Sequence, residues 1–117
     1  MRHQKSGRRL NRDTDHRKAL MRSLCAALIE HGRITTTEAR AKELRRWVER
    51  LVTTAKPNDV NARRRVARDV PDPVAAAALF DNVLPKLQER PGGYTRIVHK
   101  GPRLGDAAPM VVIEFVD

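Results

Sequence analysis

The side chains in this sequence that could do chemistry are its cations, and their types and spacing suit holding phosphate rather than making or breaking bonds. Arg2, Lys5, Arg8, Arg9, Arg12, Arg17, Lys18 and Arg22 crowd the first 22 residues against only Asp13 and Asp15. Lys42, Arg46 and Arg50 then recur at four-residue spacing, and Arg63, Arg64 and Arg65 are consecutive, with Arg68 following. Most of these are arginines, whose planar forks match phosphate oxygens. Like charges four residues apart on a helix repel one another unless an anion lies across them. A solvated face tempered by Glu43 and Glu49 is the plain alternative for that second group.

Other chemistries lack their residues. His3, His16, His31 and His99 have neither the spacing nor the companion cysteines of a zinc site. Gly92-Gly93 is not followed by the Gly-Lys-Ser or Gly-Lys-Thr of a phosphate-binding loop, and no dinucleotide glycine pattern joins a strand to a helix. No nucleophile stands with a base, so the sequence reads as a binding protein and not an enzyme, with no cofactor, metal or small-molecule substrate expected. Cys25 lies among apolar residues of an expected helix and reads as a small buried hydrophobe; as the sole cysteine it fits a reducing compartment.

Composition narrows the partner. A net charge of +10 and a pI near 11.0 make the surface self-repelling unless a polyanion neutralises it. No apolar run is long enough to span a bilayer, so no membrane is expected. Trp47, Phe80, Tyr94 and Phe115 are the only aromatic residues, too few to stack successive bases. Recognition is therefore expected through phosphates, sugars and nucleic-acid shape.

The elements that must position these cations follow from pattern. Residues 1–12 hold almost nothing to bury and read as an extended basic arm that folds only onto something strongly negative. Residues 13–117 read as one globular domain. A helix starts near Asp13, Thr14 and Asp15, carries Leu20, Leu24, Ala27 and Leu28 with Cys25 and Ile29 beside them, and stops at Gly32. Arg33 to Thr36 reads as a brief strand or extended connector. Thr35 with Glu38 matches a capping box, although Thr36 or Thr37 serves equally. The second helix buries Ala41, Leu44, Val48, Leu51, Val52 and Ala55, with Trp47 at the edge. Asp59 caps a third, whose Val60, Val66, Ala67 and Val70 are expected to face inward. Asp72 and Pro73 open a fourth over Val74 to Leu84, packed through Leu79, Phe80 and Val83. Pro85 to Arg90 reads as a separate helical turn. Two strands, Tyr94 to Lys100 and Met110 to Val116, pair as an antiparallel hairpin. The fold class is α+β: about four helices packed with a small mixed or antiparallel sheet, plus the arm. Net charge is +6 over residues 1–22, +5 over residues 23–70 and −1 over residues 71–117. The first two-thirds should face the polyanion, with Tyr94 and Arg96 as exceptions in the other part.

Three separated segments carry a likeness. Met1-Arg2-His3 with Ser6-Gly7-Arg8-Arg9-Leu10 and His16-Arg17, then Gly32-Arg33-Ile34-Thr35-Thr36-Thr37 with Ala41-Lys42-Glu43, then Gly92-Gly93-Tyr94-Thr95-Arg96, in this order, closely resemble the bacterial large-subunit ribosomal protein family L-seventeen. The resemblance implies a structural constituent of the large subunit that binds 23S ribosomal RNA and supports assembly and translation. It implies a cytoplasmic, ribosome-bound protein beside other large-subunit proteins, including the small ribosomal protein L-thirty-two. With the cation pattern, it gives an expected RNA-binding set of Arg2, His3, Lys5, Arg8, Arg9, Arg12, His16, Arg17, Arg22, Arg33, Thr35, Thr36, Lys42, Arg46, Arg50, Arg63, Arg64, Tyr94 and Arg96. From the residues alone, a DNA-architectural protein with its second and third helices as a groove-binding pair stays open.

Overall fold

Capping oxygens and glycine stops divide the chain much as its pattern suggests. The computed structural model describes residues 14–116, so the expected arm at residues 1–12 lies outside the described residues. Helix α1 (Thr14–His31) leads into strand β1 (Arg33–Thr37), then helices α2 (Glu38–Ala55), α3 (Val60–Asp69) and α4 (Pro73–Ala78). A π-helical turn (Leu79–Val83) carries α4 into helix α5 (Leu84–Leu87), and strands β2 (Thr95–Pro102) and β3 (Pro109–Phe115) complete an α+β fold.

Gly32 ends α1 at φ 80°, a left-handed conformation that glycine adopts without steric cost, and its N–H donates to the Leu28 carbonyl at 2.7 Å. The cap of α2 is Thr37, whose hydroxyl accepts from the Arg40 N–H at 3.4 Å. Thr35 and Thr36, the other candidates, lie earlier in β1, whose last residue is Thr37. Asp59 caps α3 by accepting from the Ala62 N–H at 2.8 Å, and Asp72 caps α4 by accepting from the Val74 N–H at 3.0 Å.

The apolar stripe of α2 is buried as expected, from Ala41 to Ala55. That of α1 is turned relative to expectation. Met21, Cys25, Leu28 and Ile29 are buried, while Leu20, Leu24 and Ala27 are half-buried, because α1 packs against both α2 and α4. In α3 the buried residues are Ala62 and Val66, with Val70 just beyond. Val60 and Ala67, expected inside, are exposed. Val60 stands about 200° round the helix from Ala62, on the face away from the core.

No break occurs before Pro85. The helix continues to Leu87 because the chain widens into a π-helical turn, in which the Leu84 N–H donates to the Leu79 carbonyl five residues back. In an uninterrupted α-helix, Pro85 would press its ring on the carbonyl four residues earlier; the wider turn eases that clash, while Pro85 itself still donates no hydrogen bond.

The hairpin expected from sequence gains a third strand. Sheet order is β1-β3-β2 and every pairing is antiparallel, with Ile34 opposite Ile113 on one side and Ile97 opposite Ile113 on the other. Strand alternation then gives the sheet two distinct faces. Ile34, Thr36, Ile97, Val111, Ile113 and Phe115 lie on the face that meets the helices, whereas Arg33, Thr35, Arg96, Val98, Val112 and Glu114 lie on the other.

Candidate nucleic-acid interface

A polar clasp joins the end of α2 to the glycine-containing loop and sets where the cations stand. The Glu49 carboxylate accepts from the Tyr94 N–H at 2.9 Å, the Thr95 N–H at 3.2 Å and the Thr95 hydroxyl at 3.2 Å. Three donors converge on one anion, so the oxygens of Glu49 are tied to the loop while its charge stays beside the neighbouring arginines. Two turns onward, the Lys56 ammonium lies 4.7 Å from the centre of the Tyr94 ring and donates to the Arg90 carbonyl. Gln88 closes the same junction by donating to the Lys56 carbonyl at 3.2 Å. Gly93, at φ 64°, makes the turn that lets two successive amides point at Glu49. A shallow groove of ≈ 520 Å³ follows, lined by Arg45, Arg46, Glu49, Arg50, Gly93 and Thr95. With three arginines against the one carboxylate, the groove keeps a positive excess.

Along α2 the expected cations have helix neighbours. Lys42 pairs with Glu38 at 2.8 Å, Arg46 stands 3.9 Å from the buried Glu43, and the Arg50 guanidinium lies 5.8 Å from the Trp47 ring centre. Arg46 and Arg50 are exposed and Lys42 is half-buried; a surface pair such as Lys42–Glu38 contributes only about 0.3–0.5 kcal/mol, so an incoming phosphate can compete for that cation. Arg45 was not anticipated, although its place beside Arg46 was a signal in the sequence.

On α3 the arginine run divides. Arg63 is held, its guanidinium 4.3 Å from the Phe80 ring centre and its Nε donating to Asn58 at 3.2 Å. Arg64, Arg65 and Arg68 are exposed and have no partner among the described residues. Three consecutive residues step about 100° each round a helix, so only one of them can reach back over Phe80.

The sheet makes a third basic surface. Arg33 and Arg96 both stand opposite Glu114, from the two outer strands, with Arg96 3.4 Å from the Glu114 carboxylate. Thr35 occupies the next row on the same face and is exposed. Its neighbour Thr36 points to the helices and is 6% exposed, and Tyr94 is 2% exposed beneath Lys56. These two expected contacts are thus turned inward, Thr36 by the two-residue period of the strand and Tyr94 by its packing at the clasp. His16 is exposed on the first turn of α1, with Arg17 and Arg22 half-buried along the same helix. Arg2, His3, Lys5, Arg8, Arg9 and Arg12 lie outside the described residues.

Burial pushes the Cys25 thiol up to about 12, with the Asp69 charge adding to the effect, so the thiolate needed by a nucleophile does not form at neutral pH. Among the described residues, no group of three or more His, Cys, Asp or Glu side chains is placed to hold a metal ion, and no helix is long and apolar enough to cross a membrane.

Comparison with known proteins gives the family. A family model described as Ribosomal protein L17 matches residues 20–116. The large ribosomal subunit protein bL17 of Syntrophotalea carbinolica is 51% identical over all of this chain and 76% of its own length. Its counterpart in Clostridium beijerinckii is 50% identical over 93% of this chain and 96% of its own length. That of Dinoroseobacter shibae is 51% identical over all of this chain and 85% of its own length. The chain belongs to the ribosomal protein L17 family of the large subunit.

Proposed function

We propose that this protein is a structural constituent of the bacterial large ribosomal subunit, binding 23S ribosomal RNA through phosphate and shape contacts and supporting subunit assembly and translation. The observation that carries this reading is the set of exposed arginines without a partner among the described residues, Arg64, Arg65 and Arg68, joined by the guanidinium-lined groove at Arg45, Arg46 and Arg50. Cations left this way on a chain of net charge +10 are supplied with counter-charge by a polyanion. Scarcity of aromatic residues directs the contact to the phosphate backbone. Residues 1–12 serve as an RNA-contacting arm on a globular unit of residues 13–117. The proposed setting is cytoplasmic and ribosome-bound, with neighbouring ribosomal proteins, including L-thirty-two, as further partners and no catalytic role.

Sedimentation tests the reading. The protein travels with large subunits at low salt and leaves them at high salt, and its binding constant for ribosomal RNA falls with a log–log slope of roughly −0.7 to −0.9 per neutralised phosphate. Failure to co-sediment at low salt overturns it. Loss of residues 1–12 lowers both the affinity and the slope; unchanged values would remove the arm from the interface.

A further inference from the structure

The face of the three-stranded sheet turned away from the helices, which no other described element covers, has a composition that its role as scaffold does not require. Its rows are set by the register: Arg33, Glu114 and Arg96 in one, and Thr35, Val112 and Val98 in the next. The two arginines sit on strands that are not neighbours, so their backbones are about 10 Å apart across the sheet, two strand spacings. Both side chains are exposed, 61% in the case of Arg96, and Glu114 between them is mostly covered. In the second row Val98 is 47% exposed and supplies the apolar surface, while Val112, at 8%, lies low between it and the exposed Thr35.

Such a surface resembles in shape the sheets that bind single-stranded RNA, but it carries no aromatic ring among the residues of these rows and cannot stack unpaired bases. An A-form duplex makes different demands. Its minor groove is wide and shallow, bordered by two phosphate strands and floored by 2′-hydroxyls and base edges. Two separated cations with hydroxyl and carboxylate groups near them complement that arrangement. Thr35 can donate to or accept from a 2′-hydroxyl, whereas the Glu114 carboxylate only accepts and so selects donors, either a 2′-hydroxyl or the amino group of guanine. Arg96 offsets the repulsion that Glu114 would otherwise exert on nearby phosphates.

We propose that this sheet face seats the minor groove of an A-form RNA duplex, with Arg33 and Arg96 each holding one phosphate strand and with Thr35 and Glu114 meeting the groove floor between them. The inference rests on the RNA-binding reading above and specifies what one surface of the protein recognises. A flat, uncovered face could instead receive a protein neighbour; the exposed cations at both sides of the face favour the duplex.

The test uses the full chain and blunt duplexes of one sequence, made as RNA and as DNA. Wild-type protein binds the RNA duplex at least tenfold tighter than the DNA duplex. In the double variant Arg33→Ala, Arg96→Ala, affinity for the RNA duplex falls on the order of tenfold and the log–log salt slope loses about 1.5 to 2. Thr35→Val, which conserves shape and β-branching, narrows the preference for RNA over DNA severalfold without changing the salt slope. An unchanged unfolding midpoint shows that these exposed substitutions leave the fold intact. Equal affinity of the double variant and wild type for RNA, with weakened binding by an Arg64→Ala, Arg65→Ala, Arg68→Ala variant, overturns the sheet-face proposal and leaves RNA binding standing. Should the double variant keep its RNA affinity but lose a ribosomal protein partner, the face is a protein interface and the proposal is wrong. No binding of wild type to any large-subunit RNA overturns both readings.

Discussion

The Glu49 carboxylate lies 2.9 Å from the Tyr94 amide nitrogen, 45 residues further along the chain. This bond and its two companions to Thr95 fix the beginning of β2 against the last turns of α2. Arg96 and the groove at Arg45, Arg46 and Arg50 are consequently held in a set relation. Removing the acceptor in Glu49→Ala leaves buried donors unpaired and is expected to cost about 2–3 kcal/mol, whereas Glu49→Gln, which keeps one oxygen, costs less. Urea unfolding measures both. Equal stability of the Ala and Gln variants would show that the carboxylate oxygens do not organise the loop.

Adjacent arginines on α3 should separate into two kinds. Arg63→Ala removes the contact with Phe80 and is expected to lower stability by about 0.5–1 kcal/mol. Arg64→Ala, on the exposed surface, stays within about 0.5 kcal/mol of wild type and weakens RNA binding instead, taking about 1 from the salt slope. Thermal unfolding together with binding titrations at several salt concentrations distinguishes the two. An Arg64 variant that unfolded earlier and bound RNA normally would reverse the assignment.

Cys25 gives a pH dependence whose sign is fixed. Its thiol ionises near the ordinary value of 9.0 in the unfolded chain and near 12 when folded. The unfolded state therefore loses the proton first on raising the pH. The contribution is complete below pH 9, then declines by about 1.4 kcal/mol per pH unit up to about pH 12. Comparing urea midpoints of wild type and Cys25→Ala between pH 8 and pH 10 isolates it, because the variant lacks this increment of alkaline loss. Alkylation by iodoacetamide at pH 8 should proceed only as fast as the protein unfolds.

The β2–β3 turn contains its own acid-sensitive contact. Asp106 is drawn down to about 2, first by its hydrogen bond with Arg103, with the Ala108 N–H adding to it at 3.1 Å. A depressed carboxylate supports the turn above its unfolded value and loses that effect as the pH falls through 2. An NMR titration of the side chain places the midpoint near 2 in wild type and returns it towards 3.8 in Arg103→Ala. A midpoint unmoved by that substitution would show that the pair does not form in solution.

Removing the cap Asp59 tests the entry to α3. Asp59→Ala frees the Ala62 N–H and is expected to cost about 1 kcal/mol in urea unfolding, since a side-chain oxygen there satisfies a donor that has no helical partner. Recovery by Asp59→Asn is expected, because the amide oxygen accepts the same bond. A variant as stable as wild type would mean that water serves that amide equally well.

What the sequence determined by itself is what acts over four residues or fewer. Asp59, Asp72, Pro73 and Gly32 mark helix ends because caps and stops bond to their own neighbours, and the stripe from Ala41 to Ala55 records one helical period. The surplus of arginines and scarcity of rings likewise made phosphate the expected partner chemistry before any fold was known. Only the tertiary structure decided that β1 joins the far edge of β3, which placed Arg33 and Arg96 on one face and turned Thr36 to the other. It also decided which of three arginines packs on Phe80, that Glu49 serves the loop at Tyr94, and that a π-helical turn carries the chain past Pro85. Each of these depends on residues far apart in the chain or on competition among near-equivalent neighbours. Local spacing carries no term for either, because register and packing are settled only when distant segments share one core.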